Sequence, residues 1–346
     1  MTKDVNIAVV GAGLIGNCHM DSIDVSKGST LACVVDPSDA GRQIAKTRGV
    51  TWYPTIEEMF AHSKPDGVIL ATPNQLHLSG ALTCIENRCP TLVEKPLCVT
   101  ASDAQVLVNA ADSARIPILT GHHRRHSGLL KKTKSIIEND ELGDIVLFQA
   151  TCWLYKPQDY FDVKWRSQPG GGPVLINLIH DINTMLYLLG DVASVQAMQS
   201  NKIRNHAVED TAVISMRFHS GTLATISVSD TIPAPWSWEL TSGENPAFPK
   251  TSEACYFIGG TAASLCLPDL KIWRHQGQSS WTNPIDQTAI PFENNDPLVS
   301  QIGQFAAVIR GDEIPLVSAQ DGLNTLRVIE AVKRSAISGE TVNLSH

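Results

Sequence analysis

The glycine-rich segment GAGLIG at residues 11–16 constrains the fold of this chain more than any other feature. It directly follows the apolar run Val5–Val10, and a helical pattern continues after it to about Val25. A short continuous apolar run is typical of a parallel strand that is covered on both faces. The order of strand, glycine turn and helix predicts a dinucleotide-binding βαβ unit, in which the helix N-terminus holds a pyrophosphate.

Each glycine of this segment has a different structural role in such a unit. Gly11 permits the tight turn, Gly13 lets the pyrophosphate approach the backbone, and Gly16 allows the helix to pack closely on the strand. The phosphates are then expected against the first turn of the helix, at Leu14 and Ile15.

The carboxylate of Asp36 indicates which dinucleotide is bound. It lies 20 residues beyond Gly16 and follows the second apolar run, Thr30–Val35. A carboxylate at this place accepts hydrogen bonds from the adenosine ribose and repels a 2′-phosphate. The next residues are Pro37 and Ser38 rather than Arg, so we expect NAD in preference to NADP. The alternative is a simple glycine turn and an Asp that only caps a helix.

Strand and helix patterns alternate up to about residue 120. This alternation predicts a doubly wound parallel sheet, a Rossmann domain over residues 1–121. Its predicted strands are Val5–Val10, Thr30–Val35, Thr51–Tyr53, Gly67–Ala71, Thr91–Val93 and Pro117–Thr120.

After Gly121 the pattern changes to long runs with two-residue periodicity, which predicts an α+β domain with a large open antiparallel sheet over residues 122–346. The predicted strands are Ile145–Cys152, Val192–Ser200, Thr211–His219 and Thr222–Asp230. A helix at Pro173–Leu189 interrupts them, and helices at Pro297–Arg310 and Ala319–Ser338 close the chain. Periodicity does not place the loop Pro233–Pro249, which contains two tryptophans.

The charge balance of the chain argues against nucleic acids as partners. The chain has 27 Lys and Arg against 35 Asp and Glu, a formal net charge of −8, whereas nucleic-acid binding needs a concentrated basic face. The eight cysteines include no CxxC pair, so we expect neither a zinc knuckle nor a disulfide framework. No secretory or membrane-spanning pattern is found. We therefore expect a cytoplasmic protein with a small-molecule substrate.

Four further segments occur in a specific order. They are ATPNQLH at residues 71–77, EKP at 94–96, GHHRR at 121–125, and GGGP at 170–173 with HD at 180–181. Together with the glycine turn they closely resemble the glucose–fructose oxidoreductase / inositol dehydrogenase / MocA family, over essentially the whole chain. The resemblance implies a Rossmann domain and an α/β domain whose sheet often forms an oligomer interface, so we expect a homodimer or homotetramer.

Lys95 is the first candidate for a catalytic residue. It follows a predicted parallel strand, and ligands bind at the carboxyl ends of strands in open α/β sheets. A partly desolvated lysine near the positive ring of oxidised nicotinamide should have a lowered pKa and can help remove a hydroxyl proton. The resemblance gives the EKP lysine this role. The alternative is a strand-end lysine that extends into solvent.

His180 is the second candidate, in an otherwise apolar helical pattern. It matches the family's active-site histidine, which relays a proton; the alternative is a satisfied core histidine. The chain departs from the family around it. The position four residues earlier, often Asp, is Ile176 with Asn177 beside it, and the position three residues later is Asn183. Amides bind hydroxyls but are not bases, so we expect Lys95 and His180 to carry the acid–base work.

The resemblance also implies the binding residues. Expected cofactor contacts beyond the glycine turn and Asp36 are Thr72, Asn74, His77, Glu94, Lys95 and Arg166. Expected substrate contacts are Lys95, His123, Arg124, Asn177, His180 and Asn183. For His77 the alternative is a helix N-terminal residue that satisfies its own backbone.

The segment HHRRH at residues 122–126 is the one concentrated basic stretch of the sequence. Adjacent histidines of a strand face opposite sides, and no carboxylate accompanies them, so no metal is expected. A basic pocket that lacks the usual acids favours a carboxylate-bearing substrate bound by Arg124. The alternative is that Arg124 and Arg125 form salt bridges between domains beside a neutral pocket.

These features predict an NAD-dependent oxidoreductase that transfers a hydride between the nicotinamide and a secondary alcohol of a cyclic polyol, sugar or sugar acid. Two alternatives stay open, an NAD-retaining glycosidase of the same family and a non-catalytic dinucleotide sensor. A sensor is expected to lose the EKP lysine, which is present here. The direction of the reaction is not fixed by the sequence.

Overall fold

The computed structural model describes residues 4–344. Strands and helices alternate up to Ser127, and each predicted strand of this part is found within one residue of its expected ends. The elements are β1 (Val5–Val10), α1 (Leu14–Val25), β2 (Ser29–Val35), α2 (Asp39–Arg48), β3 (Thr51–Tyr53), α3 (Ile56–His62), β4 (Gly67–Leu70), α4 (His77–Glu86), β5 (Thr91–Val93), α5 (Ala101–Ala114) and β6 (Ile118–Thr120).

These six strands form one parallel sheet in the order β3-β2-β1-β4-β5-β6. The chain moves outward from β1 to β3, returns to the centre, and then moves outward the other way from β4 to β6. The predicted doubly wound Rossmann sheet is therefore confirmed. In such a sheet, ligands bind beyond the carboxyl ends of the strands where the direction changes, here β1 and β4.

After Ser127 the chain forms a second set of elements. They are α6 (Gly128–Glu138), β7 (Ile145–Trp153), α7 (Pro173–Ile176), α8 (Leu178–Leu189), β8 (Val192–Ser200), β9 (Thr211–Phe218), β10 (Leu223–Ser229), α9 (Trp238–Thr241), β11 (Tyr256–Gly260), β12 (Ser264–Leu267), β13 (Lys271–His275), β14 (Ile285–Ala289), α10 (Pro297–Arg310), α11 (Ala319–Ser338) and β15 (Val342–Asn343).

The second sheet has nine strands in the order β14-β13-β12-β11-β7-β10-β9-β8-β15. Most neighbours are antiparallel, but β7 and β10 are parallel, with Leu223 opposite Leu147. The predicted antiparallel sheet is therefore corrected to a mixed one. The reason is the helical connection after β7, which brings the chain back so that β8 runs in the direction of β7. Two hairpin reversals then give β10 that same direction.

Five strands of this sheet, β11 to β15, do not appear in the sequence-based prediction. Every residue of β14 is exposed, and in β13 only Ile272 is buried, so neither strand shows the alternation that marks a half-buried strand. The loop with two tryptophans contains the single-turn helix α9. There Trp238 is buried and stacks on Tyr256 at 5.2 Å between ring centroids.

The chain divides into two compact units. The first contains the residues up to Ser127 together with Asp296–Leu326, and the second contains Gly128–Asn295 and the residues from Arg327 onward. The sequence predicts a single boundary after Gly121, whereas the first unit also includes α10. The physical reason is burial, because Ile302 and Phe305 of α10 belong to the same core cluster as Val5 and Ile7 of β1. Within residues 4–344, no helix has the length and apolar character needed to cross a membrane.

Candidate active site

The glycine turn after β1 has the geometry that its sequence predicts. Gly11 has a φ of +97°, and a Cβ on it would lie 2.4 Å from the Ala71 carbonyl oxygen. A Cβ on Gly16 would lie 1.9 Å from the Gly11 carbonyl oxygen, so both positions require glycine. Gly13 is the N-cap of α1 and contributes no side-chain hydrogen bond. Because the first N–H groups of a helix have no partner within the helix, they suit an anionic phosphate.

Asp36 follows β2 and holds the turn in place. Its Oδ2 accepts a hydrogen bond from the Ala12 N–H at 2.8 Å, and its Oδ1 accepts one from the Ser38 N–H at 2.9 Å. Partial burial by itself would raise the pKa of Asp36. The hydrogen bonds from the Ser38 hydroxyl and from the Ala12 and Ser38 N–H groups outweigh burial, so the pKa is lowered. Asp36 is therefore an ionised acceptor at neutral pH.

A cavity of about 550 Å³ lies beside Asp36 within the first unit. Its wall includes Gly11, Ile56, Thr72 and Leu76. The Thr72 hydroxyl is buried and has no hydrogen-bond partner among residues 4–344. A cavity with an apolar wall, an ionised carboxylate and an unpaired hydroxyl fits the adenosine end of a dinucleotide. Asn74 is half-buried, at the start of a 3₁₀ turn beyond this cavity.

We expect NAD to bind at least about tenfold more tightly than NADP, since a carboxylate facing a 2′-phosphate costs about 1.4 kcal/mol or more. The substitution Asp36→Ala should reduce the difference in affinity between NAD and NADP. Isothermal titration of both dinucleotides measures the two affinities. Asp39→Ala removes an exposed carboxylate three residues away and should leave the ratio unchanged, whereas equal affinities in the unmodified protein would reject this role for Asp36.

The EKP segment begins directly after β5. Glu94 is buried, and its Oε1 accepts a hydrogen bond from Nε2 of the buried His19 at 2.7 Å. Its Oε2 accepts a hydrogen bond from the backbone N–H of Lys95 at 3.0 Å. Lys95 is half-buried. Both oxygens of the Glu94 carboxylate thus have protein partners, and the sequence-based prediction did not include His19.

Two pKa values describe the charge around this segment. Burial of Glu94 by itself would raise its pKa, but the hydrogen bond from His19 and the charges of Lys95 and His123 lower it. Burial is also the largest cause at His122, and the charges of Arg125, Lys95 and other basic neighbours act in the same direction. The pKa of His122 is therefore well below its ordinary value. Glu94 is ionised and His122 is neutral.

His77, for which the resemblance implies a cofactor contact, lies among backbone carbonyl groups. Its side chain is fully buried, with Nδ1 at 2.8 Å from the Pro96 carbonyl oxygen and Nε2 at 3.0 Å from the Thr72 carbonyl oxygen. Both ring nitrogens are therefore occupied by backbone groups. The ring connects the turn after β4 to the EKP segment.

The basic segment at residues 123–126 is a 3₁₀ turn, not a strand continuation. Arg125 donates to Asp321 Oδ1 at 2.9 Å and to the Leu316 carbonyl oxygen, so it supports the first unit. Arg124 is buried and His123 is half-buried. Among the described residues, no group of three or more His, Cys, Asp and Glu is arranged to hold a metal ion.

In the second unit, the predicted helix Pro173–Leu189 is broken into α7 and α8 at Asn177. His180 lies in the first turn of α8 and is 8% exposed. Asn183 is buried one turn later. Asn177 is half-buried, and its Oδ1 has no hydrogen-bond partner within residues 4–344. The neighbouring Asp181 instead accepts a hydrogen bond from the Tyr256 hydroxyl in the core.

Glu209 fixes the glycine segment that leads into α7. Its Oε1 accepts a hydrogen bond from the Val174 N–H at 3.0 Å. Gly172 has a φ of +83°, and a Cβ on it would lie 2.4 Å from that same oxygen. The sequence-based prediction did not include Glu209, because no local signal connects it to a turn 35 residues earlier in the chain.

Arg166 lies just before this segment. Its guanidinium stacks over the Tyr160 ring at 4.1 Å, and Nη1 donates to the Tyr160 carbonyl oxygen at 2.7 Å. Its Nε is buried and has no hydrogen-bond partner in the described part of the chain. The side chain is thus oriented by Tyr160 and retains one unused donor.

Comparison with protein-family models agrees with this architecture. The model for the NAD-binding Rossmann fold of the Gfo/Idh/MocA oxidoreductases matches residues 5–122, and the model for their C-terminal alpha/beta domain matches residues 134–344. The two matched models together describe an oxidoreductase with an NAD-binding Rossmann fold. The chain belongs to the Gfo/Idh/MocA oxidoreductase family, as the ordered motifs predict.

Individual relatives have low sequence identity to this chain. The 1,5-anhydro-D-fructose reductase of Ensifer adhaerens is 24% identical over 341 residues, which cover 97% of each chain. The myo-inositol 2-dehydrogenase of Thermotoga maritima is 26% identical over 234 residues, 65% of this chain and 68% of the relative. The WlbA dehydrogenase of Bordetella pertussis, solved in complex with NADH and UDP-GlcNAcA, superposes with a TM-score of 0.81 at 23% identity. That alignment covers 99% of this chain and 100% of the other.

Proposed function

We propose that this protein is an NAD-dependent dehydrogenase or reductase that interconverts a secondary alcohol and a ketone on a cyclic polyol, sugar or sugar acid. The observation that carries the proposal is the position of Lys95. It follows the carboxyl end of a parallel strand in the unit that holds the dinucleotide cavity, and it is half-buried. The curated relatives described above act on a sugar derivative and on an inositol, which supports this substrate class.

Different residues of the protein bind the cofactor, bind the substrate and transfer the proton. The glycine turn and α1 hold the pyrophosphate, while Asp36 and Thr72 bind the adenosine end. Bound NAD supplies the hydride acceptor. The Lys95 amine binds the reacting hydroxyl and takes its proton, and His180 relays that proton away. Asn177 and Asn183 bind other hydroxyls of the substrate.

Net NADH formation distinguishes this function from its two alternatives. NADH fluorescence, followed across a panel of cyclic polyols, sugars and sugar acids, should rise with at least one substrate, and oxidation of NADH by the matching ketone should mirror it. An NAD-retaining glycosidase instead cleaves a glycoside without net NADH. A dinucleotide sensor binds NAD and turns over no compound, and that result would contradict the proposal.

Within this class we propose a carboxylate-bearing substrate. The support is the basic turn that contains His123 and the buried Arg124, combined with Ile176 and Asn183 where the family often has acids. We expect kcat/KM to be higher for a hydroxy acid than for its neutral alcohol analogue, and Arg124→Met should raise KM for the acid alone. Lys131→Met removes an exposed positive charge and serves as the control. Preference for the neutral compound, with an unchanged KM for the acid, contradicts an anionic substrate.

We also propose that the protein forms a homodimer or homotetramer through the second sheet. Strand residues on one face of this sheet are apolar and exposed, and an apolar face of this kind usually marks an interaction surface. They are Leu147, Met198, Val213, Leu223, Phe257 and Trp273. Sedimentation of the protein as a monomer contradicts this assembly. All eight cysteines are free, which is consistent with a cytoplasmic location.

A further inference from the structure

The buried pair His19–Glu94 is not explained by cofactor binding. Both oxygens of Glu94 are used by the protein, one by His19 at 2.7 Å and the other by the N–H of Lys95 at 3.0 Å. His19 is 0% exposed and Glu94 is 5% exposed. A buried carboxylate is costly unless it is partnered, and this one is bonded directly to the backbone of the proposed catalytic residue.

Two other segments surround the carboxylate of Glu94, which follows β5. His19 comes from α1, and Gly121 follows β6. A Cβ on Gly121 would lie 2.8 Å from Glu94 Oε1, so only glycine leaves room for the carboxylate there. Because α1 is the helix that begins at the glycine turn, the His19–Glu94 hydrogen bond also connects the cofactor-binding helix to the segment that carries Lys95.

The other ionisable groups near Lys95 come mainly from the turn after β6, and they are basic. His122 is neutral, while His123, Arg124 and Arg125 follow it. Arg125 is paired with Asp321. From α4, His77 also faces Glu94, with both ring nitrogens on backbone carbonyls. Glu94 is thus an acid among these basic groups, and its charge interacts with that of Lys95.

We propose that His19 and Glu94 form a positioning pair, in which His19 keeps the Glu94 carboxylate ionised and in place, and the carboxylate sets the orientation and charge state of Lys95. Neither residue touches the reacting atoms. The importance of this pair for turnover rests on the proposed function of Lys95. The effect of the pair on the orientation and charge state of Lys95 does not depend on that function.

The charge state of Lys95 can be measured without any turnover. Competitive labelling with acetic anhydride, followed by mass spectrometry of the Lys95 peptide, reports the fraction of free amine at each pH. Glu94→Gln removes the charge and retains an acceptor for the Lys95 N–H. The ammonium form then loses its anionic neighbour and still faces the basic turn, so the labelling midpoint should move down by about one pH unit. Glu86→Gln makes the same change at an exposed site of the same unit and should leave the labelling midpoint of Lys95 unchanged.

His19 is tested through its hydrogen bond. His19→Leu removes the donor to Glu94 and should lower the Lys95 midpoint by a smaller amount. His19→Gln retains an N–H donor and should restore the midpoint in part. A merely structural role lowers melting temperature or yield in these variants but leaves the Lys95 midpoint unchanged. Labelling curves of Glu94→Gln that coincide with those of the unmodified protein would overturn the proposal.

The pH dependence of kcat/KM connects the pair to turnover. Alcohol oxidation needs the free amine of Lys95, so activity rises with pH through the lysine pKa, and Glu94→Gln should move this rise to lower pH. If the labelling midpoint shifts but the protein never forms NADH, the proposed function is wrong and the positioning role of His19 and Glu94 is supported. If the enzyme is active but the labelling midpoint does not move, only the positioning role is wrong.

Discussion

Replacement of Lys95 by methionine is expected to lower kcat by about 10²- to 10⁴-fold, the usual contribution of a positioned acid or base. Methionine retains the unbranched apolar stem and removes the amine that binds the substrate hydroxyl. Lys95 is itself an expected cofactor contact, but the glycine turn and Asp36 are untouched, so the Kd for NAD should change by less than about tenfold, a step of 1.4 kcal/mol. Stopped-flow measurement of NADH formation gives kcat, and titration gives the Kd.

Lys46→Met is the matched control for this variant. Lys46 is an exposed lysine of α2 in the same unit, and its loss should leave kcat unchanged. If Lys95→Met keeps more than about a tenth of the activity, the lysine is not the acid or base of the reaction.

His180→Ala is expected to lower kcat by a similar factor of about 10²–10⁴. Its effect on NAD affinity should be smaller still, because His180 belongs to the second unit and the dinucleotide cavity lies within the first. The measurement is kcat and KM for the best substrate of the panel, together with the Kd for NAD.

Asn177→Ala provides the comparison for His180. Its amide is suited to bind a substrate hydroxyl but does not exchange a proton at neutral pH. We therefore expect Asn177→Ala to raise KM with a much smaller loss of kcat. A loss of kcat comparable to that of His180→Ala would show that the proton relay has been assigned to the wrong residue.

Local signals account for the elements that the sequence predicts well. Helix α10 has the same ends in the prediction and in the structure. Asp296 caps it by accepting from the N–H groups of Leu298 and Val299, Pro297 occupies its first position, and Gly311 ends it with a φ of +79°. Each of these signals lies within one turn of the helix end that it determines.

Interactions between distant residues account for what the sequence could not predict. The break at Asn177 lies close to a glycine segment fixed by Glu209, more than 30 residues later. The His19–Glu94 pair spans 75 residues, and nothing at either position marks the other as its partner. The parallel pairing of β7 with β10 depends in the same way on the course of the intervening chain.

The sequence indicates candidate residues for the site but does not indicate most of the contacts that these residues make. The sequence and the resemblance indicated Asp36, Lys95 and His180, because these residues stand at the ends of strands or in motifs of fixed spacing. The resemblance did not indicate that His77 faces two backbone carbonyls. Such contacts depend on the packing of turns that are separate in sequence.

The contribution of α10 to the first unit affects the order in which the protein can mature during synthesis. Ile302 and Phe305 complete a core whose other members include Val5, Ile7 and Val9 of β1. The ribosome therefore makes strands β7 to β14 of the second sheet before it makes the helix that completes the core of the nucleotide-binding unit. A nascent chain stopped before residue 296 has the complete glycine turn but lacks part of the core that supports β1. We therefore expect the glycine turn to gain its full support only after α10 has been made.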